Sequence, residues 1–285
     1  MNKSISLLIH CPDKKGLVAI ITEFIYKNNG NILYLDQHVD PHKKVFFMRV
    51  EWELSGFNIP PSKIKDYFKT LIADQLDLNW KIYFSDEIPK MAIFASKSSH
   101  CLYDILSRYQ DGEYQIEIPL IISNHQNLEP IAQRFNIPYF YFPIKKDNKL
   151  EVELKQLAIL NEHNINFIVL ARYMQILSPD FISHYRDKII NIHHSFLPAF
   201  PGAKPYHSAF EKGVKIIGAT SHYVSEELDN GPIIEQDVVR ISHRDSIEDL
   251  IRKGQDLEKV VLGRAIWLHL KRKILIYNNR SIVFD

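Results

Sequence analysis

Ile189-Ile190-Asn191-Ile192-His193-His194-Ser195-Phe196-Leu197-Pro198 is the stretch on which the reading of this chain turns. It opens with apolar β-branched residues, as a buried strand does, and it stops at a proline. Side chains alternate across a strand, so Asn191 and His193 share one face while Ile190 and Ile192 take the other. A carboxamide, which donates hydrogen bonds without carrying charge, thus leaves the strand end beside an imidazole, which exchanges a proton near neutral pH. His194 falls on the opposite side, where a structural hydrogen bond is the simpler reading. An Asn-x-His pair by itself is more often a satisfied core pair than a reactive one. The loop Glu226-Glu227-Leu228-Asp229-Asn230-Gly231-Pro232, set between two further strand-like runs, tips the balance by offering a carboxylate. Its residues are also turn formers, and the two roles are compatible. Asn191, His193 and Asp229 are the expected active site.

Working outward, strand patterns at 90–95, 117–122, 166–170 and 188–193 alternate with helical stretches at 99–109, 127–135 and 149–163. Ile118 to Ile122 and Phe167 to Leu170 are short continuous apolar runs, as expected of parallel strands covered on both faces. The prediction is an open, mostly parallel, Rossmann-like α/β sheet whose ligand sits beyond the carboxyl ends of its strands, where Asn191 and His193 emerge. A long helix over 246–270 follows, capped by Ser246 and Asp249 and buried along Leu250, Leu257, Val261 and Leu268. A short extended tail closes the chain. The first strand-to-helix turn, Phe94 to Cys101, has no glycine, which argues against a dinucleotide phosphate cradle. Cys101 has no neighbouring base and reads as buried and inert. Arg172 and Lys204 read as surface or structural charges.

The front of the chain has a different pattern. A strand at 3–9 precedes a helix over 14–28 with Leu17, Ile21, Phe24 and Ile25 on one face. Residues 31–39 are extended. In 44–54, Phe46, Met48, Val50, Trp52 and Leu54 alternate with Arg49, Glu51 and Glu53. A second helix after Pro60-Pro61 points Ile64, Phe68, Leu71 and Ile72 inward, and a strand near 78–84 completes a βαββαβ, ferredoxin-like module. Ser85 to Pro89 reads as the linker, which gives domains at 1–86 and 87–285.

The 285 residues suit two domains, and 46% hydrophobic with 24% charged residues fit a globular protein. A formal net charge of +1 argues against a general grip on nucleic acid. Two cysteines, Cys11 and Cys101, make neither a disulfide framework nor a zinc pattern. No apolar run approaches the ~20 residues of a membrane span, and the apolar patch near the start is too short for a signal peptide. A cytoplasmic location is expected, with no membrane and no nucleic acid as partner.

Cys11-Pro12-Asp13-Lys14-Lys15-Gly16-Leu17, together with the βαββαβ order, resembles an ACT domain. That resemblance implies pairing between subunits, hence a homo-oligomer (dimer or tetramer). It also implies an amino-acid effector such as glycine or methionine near Asp13, Gly16, Leu17 and Asn31. Gly16 at a helix N-terminus would let backbone N–H groups approach a carboxylate. The plainer alternative is that Asp13 caps the helix and Gly16 only makes the turn.

In the second domain, Asn191-Ile192-His193, Ser195-x-Leu197-Pro198, Gly218-Ala219-Thr220 with His222, and Asp229-x-Gly231-Pro232-Ile233-Ile234 resemble the formyltetrahydrofolate-dependent formyltransferase family. Four separate pieces in order make the match specific. The doubled His193-His194, the stretch Pro198 to Tyr206 and the ACT-like front resemble the family's deformylase branch. A glycinamide ribonucleotide transformylase would carry a glycine-rich phosphate loop and no front domain. The resemblance implies hydrolysis of 10-formyltetrahydrofolate to tetrahydrofolate and formate, supplying purine synthesis and balancing the one-carbon pool. The folate is the substrate, and no cofactor or metal is required. It implies that Asn191 stabilises the oxyanion, that His193 moves protons and that Asp229 supports it, with His222 and His194 in supporting places. The pterin is expected against Met174, Gln175, Ile176 and Leu177 and against Val224, Ser225 and Glu226. Two rival readings are a formyl transferase to an amine and a non-catalytic folate or amino-acid sensor.

Overall fold

A computed structural model describes residues 3–145, 147–198 and 205–284. The chain divides into two compact units: residues up to 88 together with 272–275 and 283–284, and residues 89–271 together with 276–282. The division falls two residues beyond the boundary expected from the linker, and parts of the tail group with the first unit.

The first unit runs β1 (Ser4–Pro12), α1 (Leu17–Lys27), β2 (Ile32–Asp40), β3 (Val45–Glu53), α2 (Pro61–Phe68), a π-helical turn (Lys69–Ala73), α3 (Asp74–Leu76) and β4 (Asn79–Phe84). Its four strands lie in the order β2-β3-β1-β4, and each neighbouring pair is antiparallel. This is the ferredoxin-like arrangement of an ACT-like domain. The helices lay Leu17, Ile21, Phe24, Ile25, Ile64 and Phe68 on one sheet face against Ile5, Leu7, Ile9, Met48, Val50 and Trp52.

Two expectations change here, and the surroundings of Arg49 are set by a distant segment. Asp13 does not cap α1: the N-cap is Gly16, which accepts the left-handed φ of +90° that this turn needs and provides no side-chain cap. Leu71 is exposed while Ile72 and Ala73 are buried, because the π turn inserts residue width into the helix and rotates the apolar face past Leu71. Arg49 is buried on the face that its charge would assign to water. The returning tail covers it: its Nε donates to the Arg272 carbonyl at 3.0 Å, and Nη2 pairs with Glu51 at 2.7 Å.

The second unit contains β5 (Lys90–Ala95), α4 (His100–Gln110), β6 (Glu117–Ser123), α5 (Glu129–Arg134), β7 (Tyr139–Tyr141), α6 (Lys149–Glu162), β8 (Phe167–Ala171), α7 (Pro179–His184), β9 (Ile189–His193), α8 (Pro205–Glu211), β10 (Ile216–Tyr223), β11 (Ile233–Arg240) and α9 (Ile247–Leu270). A seven-stranded sheet has the order β11-β10-β9-β8-β5-β6-β7. The pairings from β7 across to β9 are parallel, and β10 and β11 run antiparallel. Strands β5 and β8 are buried almost end to end, which their unbroken apolar runs require. The capping box of Ser246 and Asp249 starts α9. Three short elements, β7, α7 and α8, lack the length for a readable period. The tail is a hairpin, β12 (Ile274–Tyr277) and β13 (Arg280–Val283), turning on Asn278 and Asn279 at φ of 46° and 58°. Two left-handed residues match the twist of a two-residue hairpin loop. Among the described residues no helix is long and apolar enough to cross a membrane.

Phe68 has no exposed surface and packs edge-on against Phe24 and Trp80, with centroids at 5.6 and 5.1 Å. Phe68→Ala is expected to destabilise the first unit by about 3–5 kcal/mol, read as a shift of its urea unfolding midpoint.

Candidate active site

The site grows from the place where the sheet changes direction. β9 is the last parallel strand, and β10 returns beside it antiparallel with His222 opposite Asn191 and Thr220 opposite His193. Directly opposed residues share a face, so the amide and both imidazoles meet on one side. Ser221 Oγ donates to the Asn191 carbonyl at 3.0 Å, which pins the strand end. The turn after β9 is fastened from below. The Leu197 N–H donates to Thr220 Oγ1 at 3.0 Å, Thr220 Oγ1 donates to the Ser195 carbonyl at 2.9 Å, and Gln236 Nε2 donates to the Leu197 carbonyl at 3.1 Å.

Asp229 returns to this strand end from the loop between β10 and β11. It sits at a left-handed φ of 55°, a conformation open to Asp and Asn but costly for most side chains. Gly231 has the room this fold-back needs, because a Cβ there would overlap the Tyr223 carbonyl. Tyr223 N–H closes the loop by donating to the Pro232 carbonyl at 2.9 Å. Asn279, in the tail hairpin, donates through Nδ2 to the Asn230 carbonyl at 2.7 Å.

Asp229 Oδ2 lies 3.2 Å from His193 Nδ1, and Oδ1 lies 3.6 Å from His222 Nε2. Hydrogen bonding from His193, then from His222, holds the Asp229 carboxyl well below the usual carboxylate range. A carboxylate only accepts, so the proton between it and His193 is on Nδ1. The His193 Nε2 atom is buried and has no hydrogen-bond partner among the described residues. His222 Nδ1 lies 2.9 Å from the Tyr223 carbonyl, which also only accepts, so Nδ1 carries the proton there. His222 Nε2 lies between Asn191 Nδ2 at 3.2 Å and Asp229 Oδ1 at 3.6 Å: without a proton it accepts from the amide, and with one it donates to the carboxylate.

The remaining predicted residues lie as follows. His194 is buried past the end of β9, with its ring 5.2 Å from that of His193 and 5.9 Å from that of Tyr206. Met174 and Ile176 are exposed on the loop after β8, whereas Tyr173 and Leu177 anchor that loop in the core with Val224 packed on the same cluster. Met174 N–H donates to Ser96 Oγ at 3.0 Å. Gln175 and Ser225 are half-buried, and Glu226 is exposed. Asp13, Gly16, Leu17 and Asn31 belong to the first unit. Ala199 to Lys204, most of the stretch that carries the deformylase likeness, lie outside the described residues.

Sequence reasoning does not single out Gln236 or Glu258, which sit in no local pattern that sets them apart, and it reaches Tyr206 only as the end of the stretch that carries the deformylase likeness, without a role. His100, Cys101 and Glu258 lie close enough to be considered as metal ligands. His100 and Glu258 are already paired at 2.9 Å, Arg172 adds a cation 3.4 Å from Glu258, and burial pushes the Cys101 thiol up. That set does not suit a cation.

Comparison with known proteins shows what the whole chain is similar to. The formyl transferase family profile matches residues 89–266. A formyltetrahydrofolate deformylase of Synechocystis sp. is 54% identical over 283 residues, covering 99% of each chain. One of Bacillus subtilis is 44% identical, covering 98% of this chain and 93% of its own. The crystal structure of a formyltetrahydrofolate deformylase from Pseudomonas syringae pv. tomato superposes with a TM-score of 0.97 at 43% identity, covering 100% of this chain and 95% of that one.

The depressed Asp229 carboxyl has a signed consequence. A carboxylate that folding favours adds stability above its unfolded value, near pH 4, and loses that contribution as pH falls toward its lower folded value. Asn accepts the same φ without the charge. Wild type is expected to exceed Asp229→Asn in urea midpoint by a constant amount between pH 5 and 7, with the gap closing as pH drops below about 4.

Proposed function

The chain belongs to the formyltetrahydrofolate deformylase family, and we propose that it hydrolyses 10-formyltetrahydrofolate to tetrahydrofolate and formate at the cluster of Asn191, His193 and Asp229. The observation that carries the site assignment is the His193 imidazole, with Nδ1 turned to a carboxylate at 3.2 Å and a buried Nε2 that has no hydrogen-bond partner among the described residues.

The chemistry follows from that arrangement. Asp229 fixes the His193 tautomer, which leaves the Nε2 lone pair to take a proton from water as its oxygen bonds to the formyl carbon. The carbonyl electron pair moves to the formyl oxygen, and an Asn191 N–H stabilises the charge that develops there. The imidazolium formed is stabilised by Asp229. When the carbon–nitrogen bond breaks, His193 returns its proton to the leaving nitrogen, and the formyl carbon departs as formate. His222 acts behind Asn191 by holding its amide plane. The polarising groups are hydrogen-bond donors, so these steps need neither metal nor cofactor. The pterin ring is read against the 174–177 loop, where Met174 and Ile176 offer exposed apolar surface, and against the 224–226 segment.

The first unit is read as a regulatory and oligomerising domain, within a cytoplasmic dimer or tetramer. A free amino acid would bind near Asp13, Gly16, Leu17 and Asn31. What supports this is Gly16 at φ +90° with open space around its Cα, at the start of α1. Calorimetry is expected to give binding heat with glycine or methionine that Gly16→Val abolishes. No heat with either would remove the effector reading.

For the reaction, purified protein is expected to release formate from 10-formyltetrahydrofolate with no amine present. Asn191→Ala should lower kcat by roughly two to three orders of magnitude with the fold retained. Turnover that waits for an added amine would favour a transferase instead, and no turnover at all would favour a sensor.

A further inference from the structure

Glu258 stands on α9, an element that contributes none of the residues assigned to the reaction. Its side chain is 1% exposed, a costly place for a charge without close partners. Both oxygens are met. Tyr206 Oη donates to Oε1 at 2.6 Å, while His100 Nε2 and Arg172 Nε lie 2.9 and 3.4 Å from Oε2. Burial opposes the charge, but these partners outweigh it and hold the carboxyl below its ordinary range.

The partners arrive from three separate parts of the second unit. His100 opens α4. Arg172 is the first residue past β8, stands at a left-handed φ of 60°, and leads directly into the loop read as the pterin seat. A non-glycine residue stays in that conformation only when its surroundings fix it, and the ion pair with Glu258 is one such tether. Tyr206 belongs to α8, which follows the turn after β9, and its ring stands edge-on to His194 at 5.9 Å and 61°. His194 in turn lies against His193. α9 is shaped to receive this ring, because a Cβ at Gly254, one turn before Glu258, would overlap the Tyr206 phenol.

We propose that Glu258 is a positioning residue that keeps the two halves of the reaction in register: the pterin loop through Arg172, and the His193 imidazole through Tyr206 and His194. This rests on the reading of His193 and the 174–177 loop given above. A buried ion cluster that served only stability would set how much protein folds and would leave the kinetic constants of the folded fraction alone. A positioning role separates them, because the two arms end on different functions. Small displacements of a reacting group cost rate steeply, whereas displacement of a binding loop costs affinity.

The experiment is steady-state formate release by the full chain and by Tyr206→Phe, Arg172→Gln and Glu258→Gln, with thermal melts and active-fraction titration on each sample. Tyr206→Phe keeps the ring and loses only the bond to Glu258. It is expected to lower kcat about ten-fold with KM within about two-fold. Arg172→Gln is expected to raise KM several-fold with a smaller change in kcat, and Glu258→Gln to show both effects. Should Glu258→Gln fail to fold, the opposite signatures of the other two still support the role. Kinetic constants per folded molecule that match wild type in Tyr206→Phe and Arg172→Gln would overturn it. Asp229→Asn serves as the control. If Asp229→Asn retains full turnover, the site reading fails and this role with it. If Asp229→Asn loses turnover while Tyr206→Phe and Arg172→Gln behave as wild type, only the positioning role fails.

Discussion

The cluster of Asn191, His193, His222 and Asp229 depends on a single change of strand direction. Strands β5 to β9 run parallel, and each would send its carboxyl-end residues toward the same crevice with nothing opposite the outermost one. β10 instead pairs antiparallel with β9, and its register sets His222 across from Asn191 and Thr220 across from His193. A slip of one residue would turn both side chains to the other face and leave Asn191 opposite Ser221 or Tyr223. The same strand then delivers the loop that brings Asp229 back, over a glycine that lets two backbone segments approach closely.

Two carboxylates in this unit, one half-buried and one buried, illustrate how environment differs. Asp229 lies between two imidazoles, with its side chain 21% exposed. Glu258 is sealed among Tyr206, His100 and Arg172, where every partner is a protein group. Both are held in the charged form. The first faces two imidazoles, whereas the second faces a phenol, an imidazole and a guanidinium. Hydrogen bonds made by Thr220 and Gln236 beneath the turn after β9 hold that turn in place, and a nucleophilic addition tolerates little displacement of the groups around it.

Much of the architecture was legible because the local signals were strong. Phe167 to Ala171 is a continuous apolar run, and a strand buried on both faces is the economical solution for it. Ser246 and Asp249 form the capping box that their spacing announces. Leu71 shows where such reasoning stops: ideal helical spacing turns it inward, but a π turn a few residues long shifts the phase. Arg49 is a second case, since its alternation with Phe46, Met48 and Val50 is read correctly, yet the water assumed on its face is replaced by a segment from the far end of the chain.

The residues Asn191 and His193 were identifiable because strand alternation is a two-residue rule that needs no knowledge of neighbours. Asp229 was identifiable as a turn carboxylate, with its partnership inferred from the likeness of the motif order to a known family. The 3.2 Å contact with His193, the tautomer it imposes, the lack of a partner for its Nε2 among the described residues and the link from Glu258 through Tyr206 to His194 exist only once distant segments are packed. Local pattern specifies which face a side chain takes, because that follows from backbone geometry. Which groups then meet, and in what protonation state, is a matter of long-range packing and of the charge it excludes from water.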